Sequence, residues 1–400
     1  MDLVNRMRIM RVERPTRVIA IGNYDFRASG TVAKSIEIAT AAHRSGLPVE
    51  LWVVRARGPL MERVPPTIPI VEIGRSSRSR TSRQIDLAFN TARLGRMLAA
   101  RKPAILLSGG NHFHLPAHLA LGLSGQRKAI RFGIRASNSS RRDAHQGRIA
   151  WSAMLANRIK YAGADFTVAV CNELAAEIRA CAPRLNVQCI PNGVDIDRVE
   201  RLSTEAFDHP FLRDRQNGGP PLLVSMGRIS RQKGFDLLVS AFDSLPPSVP
   251  ARLLIIGDGP GTALSKLRAL AASKDVADRI DFLGYMANPF AAMRAADLFV
   301  SASRWEGASN TLLEALACGL PLVATDCPTG NREIIEGGPY GTLAPVEDPQ
   351  GLAGAIVTEL AIGRDRQEQA KGARNWELEQ CLSSWTELLA TQHSLSVPAR

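Results

Sequence analysis

Four short segments in the second half of this 400-residue chain carry the side chains that could do chemistry. The first, Gly227-Arg228-Ile229-Ser230-Arg231-Gln232-Lys233-Gly234, sets Arg228 and Lys233 in a glycine-bounded turn. Glycine lets a backbone approach a ligand, and fixed positive charge suits a diphosphate that no metal neutralises. Alone, the same run also reads as a solvated basic turn. The second, Gly257-Asp258-Gly259-Pro260-Gly261, lacks dinucleotide-loop spacing, and Pro260 in its middle makes a tight strand-to-helix turn the simpler reading. The third runs from Ser303 through Arg304, Trp305, Glu306, Gly307, Ala308, Ser309, Asn310 and Thr311 to Glu314 and Ala315. Ser309 or Asn310 can cap a helix there. The free N–H groups and positive dipole end of that helix would form an anion site beside Glu306, with Glu314 inside the first two turns. A carboxylate next to an anion site fits a ligand with both phosphate and hydroxyl groups, as a nucleotide sugar has; two solvated glutamates on a capped helix are the alternative. The fourth, Asp326-Cys327-Pro328-Thr329-Gly330-Asn331-Arg332-Glu333, is a further strand-to-helix turn that could line the same pocket.

The first half offers less. His112 and His114 follow Gly109-Gly110-Asn111, where an imidazole could touch a sugar or an acceptor hydroxyl, and a structural histidine is equally open for each. Arg131, Arg135, Asn138, Arg141 and Arg142 form a polar cluster that could hold an anionic acceptor or be a basic loop. Asp195-Ile196-Asp197 spells the D-x-D metal triplet, yet it follows the turn Asn192-Gly193, so no metal is expected there. The six cysteines show no C-x-x-C spacing and read as scattered buried thiols rather than a zinc or disulfide framework.

The elements that must position these loops follow from apolar runs alternating with helical stretches, the pattern of parallel α/β sheets. Strands are predicted at Arg17–Asn23, Val49–Val54, Ala104–Ser108, Lys128–Ile134, Phe166–Val170 and Val187–Ile190, with helices at Thr31–Ser45 and Ile85–Ala100. Arg57–Arg83 reads as loop. Asp195–Pro221, ending in Gly218-Gly219-Pro220-Pro221, reads as a linker. A second series of strands is predicted at Leu222–Met226, Arg252–Ile256, Ile280–Leu283, Leu298–Ser301 and Leu322–Thr325, followed by helices at Leu352–Leu360 and Arg366–Leu389. The four chemistry-bearing loops then fall at carboxyl ends of parallel strands, where such sheets bind ligands.

The length suits two domains. Residues 1–200 hold 31 Lys and Arg against 15 Asp and Glu, a balance of +16, while residues 201–400 hold 19 against 23, a balance of −4. A basic half admits an anionic substrate, an anionic membrane surface or nucleic acid. Aromatic residues are only 5% of the chain, and none lies in the basic tract Arg75–Arg83, which argues against nucleic acid. No apolar run is long enough to span a membrane, and Val18–Gly22 is too short for a signal peptide, so a cytoplasmic protein, at most peripheral on the inner membrane face, is expected.

Taken in order, Gly227–Gly234, Gly257–Pro260, Glu306-x7-Glu314 and Ala324–Glu333 resemble glycosyltransferase family 4, and Ile190-Pro191-Asn192-Gly193-Val194-Asp195 resembles the family's segment before its interdomain hinge. The resemblance covers most of residues 190–350. In the first half the family's Gly-Gly loop is matched only by Ala28-Ser29-Gly30-Thr31, with Gly30 as the corresponding residue. The resemblance implies the GT-B fold, two Rossmann-like doubly wound α/β domains facing each other across a cleft. It implies an acceptor domain at 1–200, a donor domain at 201–365 and a C-terminal helix at 366–400 crossing back. It further implies that Arg228 and Lys233 bind the diphosphate, Glu314 the ribose hydroxyls and Glu306 the donor sugar. Backbone groups at Gly257 and at Gly307, Ala308, Ser309, Asn310 and Thr311 would touch sugar and phosphate, and Gly284–Asn288 the base. The implied reaction is retaining, metal-independent and without a further cofactor, from a nucleotide-sugar donor (UDP-sugar favoured) to a glycan or lipid-linked acceptor. A nucleotide-sugar epimerase of the same architecture and a non-catalytic nucleotide-sugar-binding subunit are the rival readings; the Glu306-x7-Glu314 run disfavours the epimerase.

Overall fold

The computed structural model describes residues 17–74, 83–138, 151–161, 163–336 and 339–396. The chain divides into two compact units. The first comprises residues up to Ser108, Pro116–Phe132 and the stretch from Thr386, and the second Gly109–Leu115 and Gly133–Trp385.

Seven strands come from the first half: β1 (Ile19–Asn23), β2 (Val49–Val53), β3 (Ile70–Glu72), β4 (Ile105–Ser108), β5 (Arg131–Ala136), β6 (Phe166–Ala169) and β7 (Val187–Cys189). Their sheet order is β3-β2-β1-β4-β5-β6-β7. In the first unit β1 lies parallel between β2 and β4, with Ile19 opposite both Val49 and Ile105. Such strands are buried on both faces, which is why they read as continuous apolar runs rather than alternating ones. The final helix, Leu378–Ser396, ends in this unit. There Arg17 donates to the carbonyls of Lys102, Pro103, Ala129 and Ser396. His393 Nε2 is bonded to the Arg17 carbonyl at 2.7 Å, and Arg131 Nε donates to Gln392 Oε1 at 2.7 Å.

The second sheet lies wholly in the second unit, with β8 (Leu222–Met226), β9 (Arg252–Ile256), β10 (Ile280–Gly284), β11 (Leu298–Ser301), β12 (Leu322–Thr325) and β13 (Gly341–Ala344) in the order β10-β9-β8-β11-β12-β13. All its pairings are parallel, with Leu223 opposite both Leu253 and Leu298. Alternate residues of each strand feed opposite faces. Leu222, Val224 and Leu254 pack with Phe290, Leu312 and Leu316 on one side. Leu223, Leu253 and Ile255 pack with Leu238, Phe242 and Ile356 on the other. The chain runs outward through β9 and β10, then returns to the other flank of β8 at β11, which opens a crevice between the carboxyl ends of β8 and β11.

Two expectations are corrected. The linker at Asp195–Pro221 contains two helices, Ile196–Ser203 and Pro210–Gln216. The first buries Ile196, Val199 and Ser203 and is capped by Asp195, whose carboxylate accepts from Arg198 N at 3.0 Å. In the segment read as loop from Arg57, β3 forms against β2.

Candidate functional site

The loops after β9, β8, β11 and β12 emerge side by side, because those strands are neighbours in that order. They are sewn together through their backbones. Gly227 N donates to Ile256 O at 2.9 Å, and Ile229 N to Asp258 O at 2.9 Å. Gly257 makes this approach possible: its φ is +139°, and a Cβ there would lie 1.9 Å from the Gly227 carbonyl oxygen. On the other flank, Gly234 has φ +61° and would place a Cβ 1.9 Å from the Ala302 carbonyl oxygen, so the turn Arg231–Lys233 lies directly on the loop after β11.

The packing brings Lys233 and Glu306 together across that crevice. Lys233 Nζ stands 2.6 Å from Glu306 Oε1, and Ser303 Oγ donates to the same oxygen at 2.7 Å. Glu306 is only 5% exposed, so its charge needs these partners. Its backbone is fixed from the loop after β12 by Thr329 Oγ1, which donates to the Glu306 carbonyl at 2.7 Å. Thr329 is buried with φ +66°, a conformation its surroundings must hold. Beneath it, burial and then the Glu306 charge push the Cys327 thiol well above its ordinary range, keeping it neutral.

Ser309 occupies the cap of the helix Asn310–Ala317, as expected, but its hydroxyl pairs with Thr311 Oγ1 at 3.0 Å instead of capping the first turn. The first-turn N–H groups beside Gly307 and Ala308 are therefore not consumed by that side chain. Asn310 Oδ1 accepts from Asn192 Nδ2 at 2.8 Å, and Asn192 Oδ1 accepts from Arg135 Nη2 at 2.7 Å. Arg135 is thus a buried residue of β5, not part of a basic loop; Arg141 and Arg142 lie outside the described residues. Glu314 is half-buried in the helix, and Arg228 is exposed at the lip of its loop.

The two histidines separate clearly. His112 is exposed, whereas His114 is fully buried with Nε2 bonded to Asn111 Oδ1 at 3.1 Å. Burial, then the charges of Lys160 and Arg135, hold the His114 imidazole well below its ordinary value and hence neutral. Gly30 opens the helix Gly30–Arg44 of the first unit, where Ser29 Oγ accepts from Val32 N at 3.4 Å. Among the described residues no group of three or more His, Cys, Asp or Glu could hold a metal, and no helix is long and apolar enough to cross a membrane. The six cysteines are free thiols, five of them buried. Sequence reasoning passed over Ser303, Thr329 and Arg304; a buried polar residue in a loop has the same letter as a solvated one.

Comparison with known proteins adds independent evidence. Residues 30–198 match the family model described as Glycosyltransferase Family 4, and residues 220–361 the one described as Glycosyl transferases group 1. The lipopolysaccharide core biosynthesis mannosyltransferase LpsB of Rhizobium meliloti is 32% identical over 273 residues, 65% of this chain and 69% of that protein. The alpha-monoglucosyldiacylglycerol synthase of Streptococcus pneumoniae is 31% identical over 200 residues, 49% of this chain and 44% of that protein. Across three strong matches of this kind the chain spans only 35% to 44% of the relative's length. Among solved structures, Anabaena Alr3699/HepE in complex with UDP and glucose superposes with a TM-score of 0.72 at 18% identity, covering 94% of this chain and all of that one. That likeness establishes the fold.

Proposed function

The chain belongs to glycosyltransferase family 4 and has the GT-B fold, and from that premise we propose that it moves a sugar from a nucleotide diphosphate donor, a UDP-sugar favoured, to a glycan or lipid-linked glycan acceptor. We propose further that configuration is retained and that no metal or other cofactor takes part. The observation that carries this reading is the Lys233–Glu306 pair at the switch point between β8 and β11. Negative charge grows on a departing diphosphate, and Lys233 and Arg228 with the open helix N-terminus at Ser309–Thr311 supply the positive field that a metal would otherwise give. A phosphate oxygen would compete with Glu306 for Lys233, and Ser303 would keep the Glu306 carboxylate aimed at a sugar hydroxyl. Glu314 would accept from the ribose hydroxyls, and exposed His112, rather than His114, would be offered to substrate. The acceptor is assigned to residues 1–200, whose +16 balance suits an anionic or lipid-linked glycan. Two relatives, one named for lipopolysaccharide core synthesis and one a diacylglycerol glycolipid synthase, support that class.

A screen of nucleotide sugars and nucleoside diphosphates by thermal stabilisation tests the donor, since a ligand that binds only the native state raises the melting temperature. UDP is expected to bind, and Glu314→Ala to weaken it by about tenfold or more, since one hydrogen bond to a charged group is worth roughly 1.5–3 kcal/mol. Unchanged affinity in a folded Glu314→Ala protein removes the ribose assignment. Turnover that is lost in chelator and restored by magnesium or manganese removes the metal-free mechanism, and conversion of the donor sugar without an acceptor reveals an epimerase.

A further inference from the structure

Arg304 lies two residues before Glu306 and is only 8% exposed. A guanidinium has five N–H donors, and all five of its donors here are engaged. Nη1 donates to the Arg231 carbonyl at 2.9 Å and to Asp236 Oδ1 at 2.8 Å. Nη2 donates to Asp236 Oδ2 at 2.7 Å and to Glu347 Oε2 at 3.2 Å, and Nε to Glu347 Oε1 at 2.5 Å. The main chain adds a sixth tie, Arg304 N to Gln232 O at 2.8 Å, and Gln232 Nε2 returns one to Trp305 O at 3.0 Å. Residues 231, 232 and 236 are therefore fixed on both sides of Lys233, while Gly234 rests against Ala302. Glu347 has φ +60°, a left-handed conformation in which it meets Arg304 from the loop after β13.

We propose that Arg304 is a positioning residue of the donor site, clamping the Arg228–Gly234 loop to the loop after β11 so that Lys233 is held at the diphosphate position facing Glu306. The inference rests on the donor reading above and adds a residue that touches no substrate. Arginine is required because a planar fork must serve two carboxylates and a carbonyl at once; lysine brings one compact charge and three donors and cannot span them. Removing the cation also leaves Asp236 and Glu347 facing each other without compensation.

A double-mutant cycle on UDP binding, read by calorimetry on Arg304→Lys, Lys233→Ala and the double variant, tests the clamp. If Arg304 acts through Lys233, Arg304→Lys weakens UDP binding on the order of tenfold in the wild-type background and less than about twofold once Lys233 is already alanine, because coupled residues are non-additive. An equal loss in both backgrounds overturns the proposal, as does unchanged affinity in the wild-type background. Glu347→Gln trims one arm and keeps Arg304 with Asp236; it is the second variant should Arg304→Lys fail to fold, with a smaller loss and the same non-additivity expected. Wild-type protein that binds no nucleoside diphosphate overturns the donor reading and this inference together, whereas binding with an additive cycle overturns only the clamp.

Discussion

At the scale of single residues, the candidate site is built from charges that neutralise one another. Lys233 and Glu306 satisfy each other, and both were legible in the sequence because each follows an apolar run that had to be a strand. Ser303, Arg304 and Thr329 were not legible, since what distinguishes them is burial and direction. His114 marks the same limit: the sequence left it level with His112, and only its complete burial separates the two. That burial has a measurable consequence. The folded imidazole is held below the ordinary value of about 6.5, so the unfolded chain takes up a proton that the folded one refuses. Stability should therefore fall as pH drops below about 6.5, over the window reaching down to the depressed folded value. In His114→Gln the denaturation midpoint should depend less on pH between about 6.5 and 5. An identical pH slope in the two proteins would show that other groups carry the acid sensitivity.

At the scale of elements, β8, β9, β11 and β12 match their predicted bounds, because each is a four- or five-residue, mostly apolar run with Gly, Pro or charge at one end or both. The strands missed are β3 and β13, which edge their sheets, are three and four residues long and are mostly half-exposed, so they carry little apolar signal. The helix Ile196–Ser203 was hidden by the Gly-Gly-Pro-Pro run further on, although Ile196, Val199 and Leu202 have helical spacing. The turn after β9, weak as a sequence motif, proves structurally demanding. Gly257→Ala forces a Cβ into the Gly227 carbonyl at a positive φ and should destabilise the protein by about 1–3 kcal/mol. Urea unfolding checks this: a lower midpoint with an unchanged m-value is expected, and a midpoint within error of wild type would show that the turn relaxes freely.

At the scale of the whole molecule, the contrast between +16 in residues 1–200 and −4 in residues 201–400 supports docking of the first half on anionic lipid, in keeping with a lipid-linked acceptor. Residues 75–82 of the basic tract lie outside the described residues; Arg83 opens the helix Arg83–Arg101, with its guanidinium 5.5 Å from the Tyr24 ring centre. Sedimentation with acidic liposomes should exceed that with neutral ones and should fall with salt, since exposed charges are screened over about 10 Å at 0.1 M. Neutralising Arg75, Arg78, Arg80 and Arg83 together should release the protein. Binding indifferent to lipid charge would leave the basic half as an acceptor site or a solubilising surface. The contacts of Arg17 with Ser396 and His393 have a further consequence, in the order of synthesis. The first unit includes residues beyond Thr386, which leave the ribosome only after those of the second unit. Arg17 therefore waits for these partners while everything between is made, and a chain truncated before Thr386 should lose its Ser396 and His393 bonds and unfold the first unit at lower urea than the full chain.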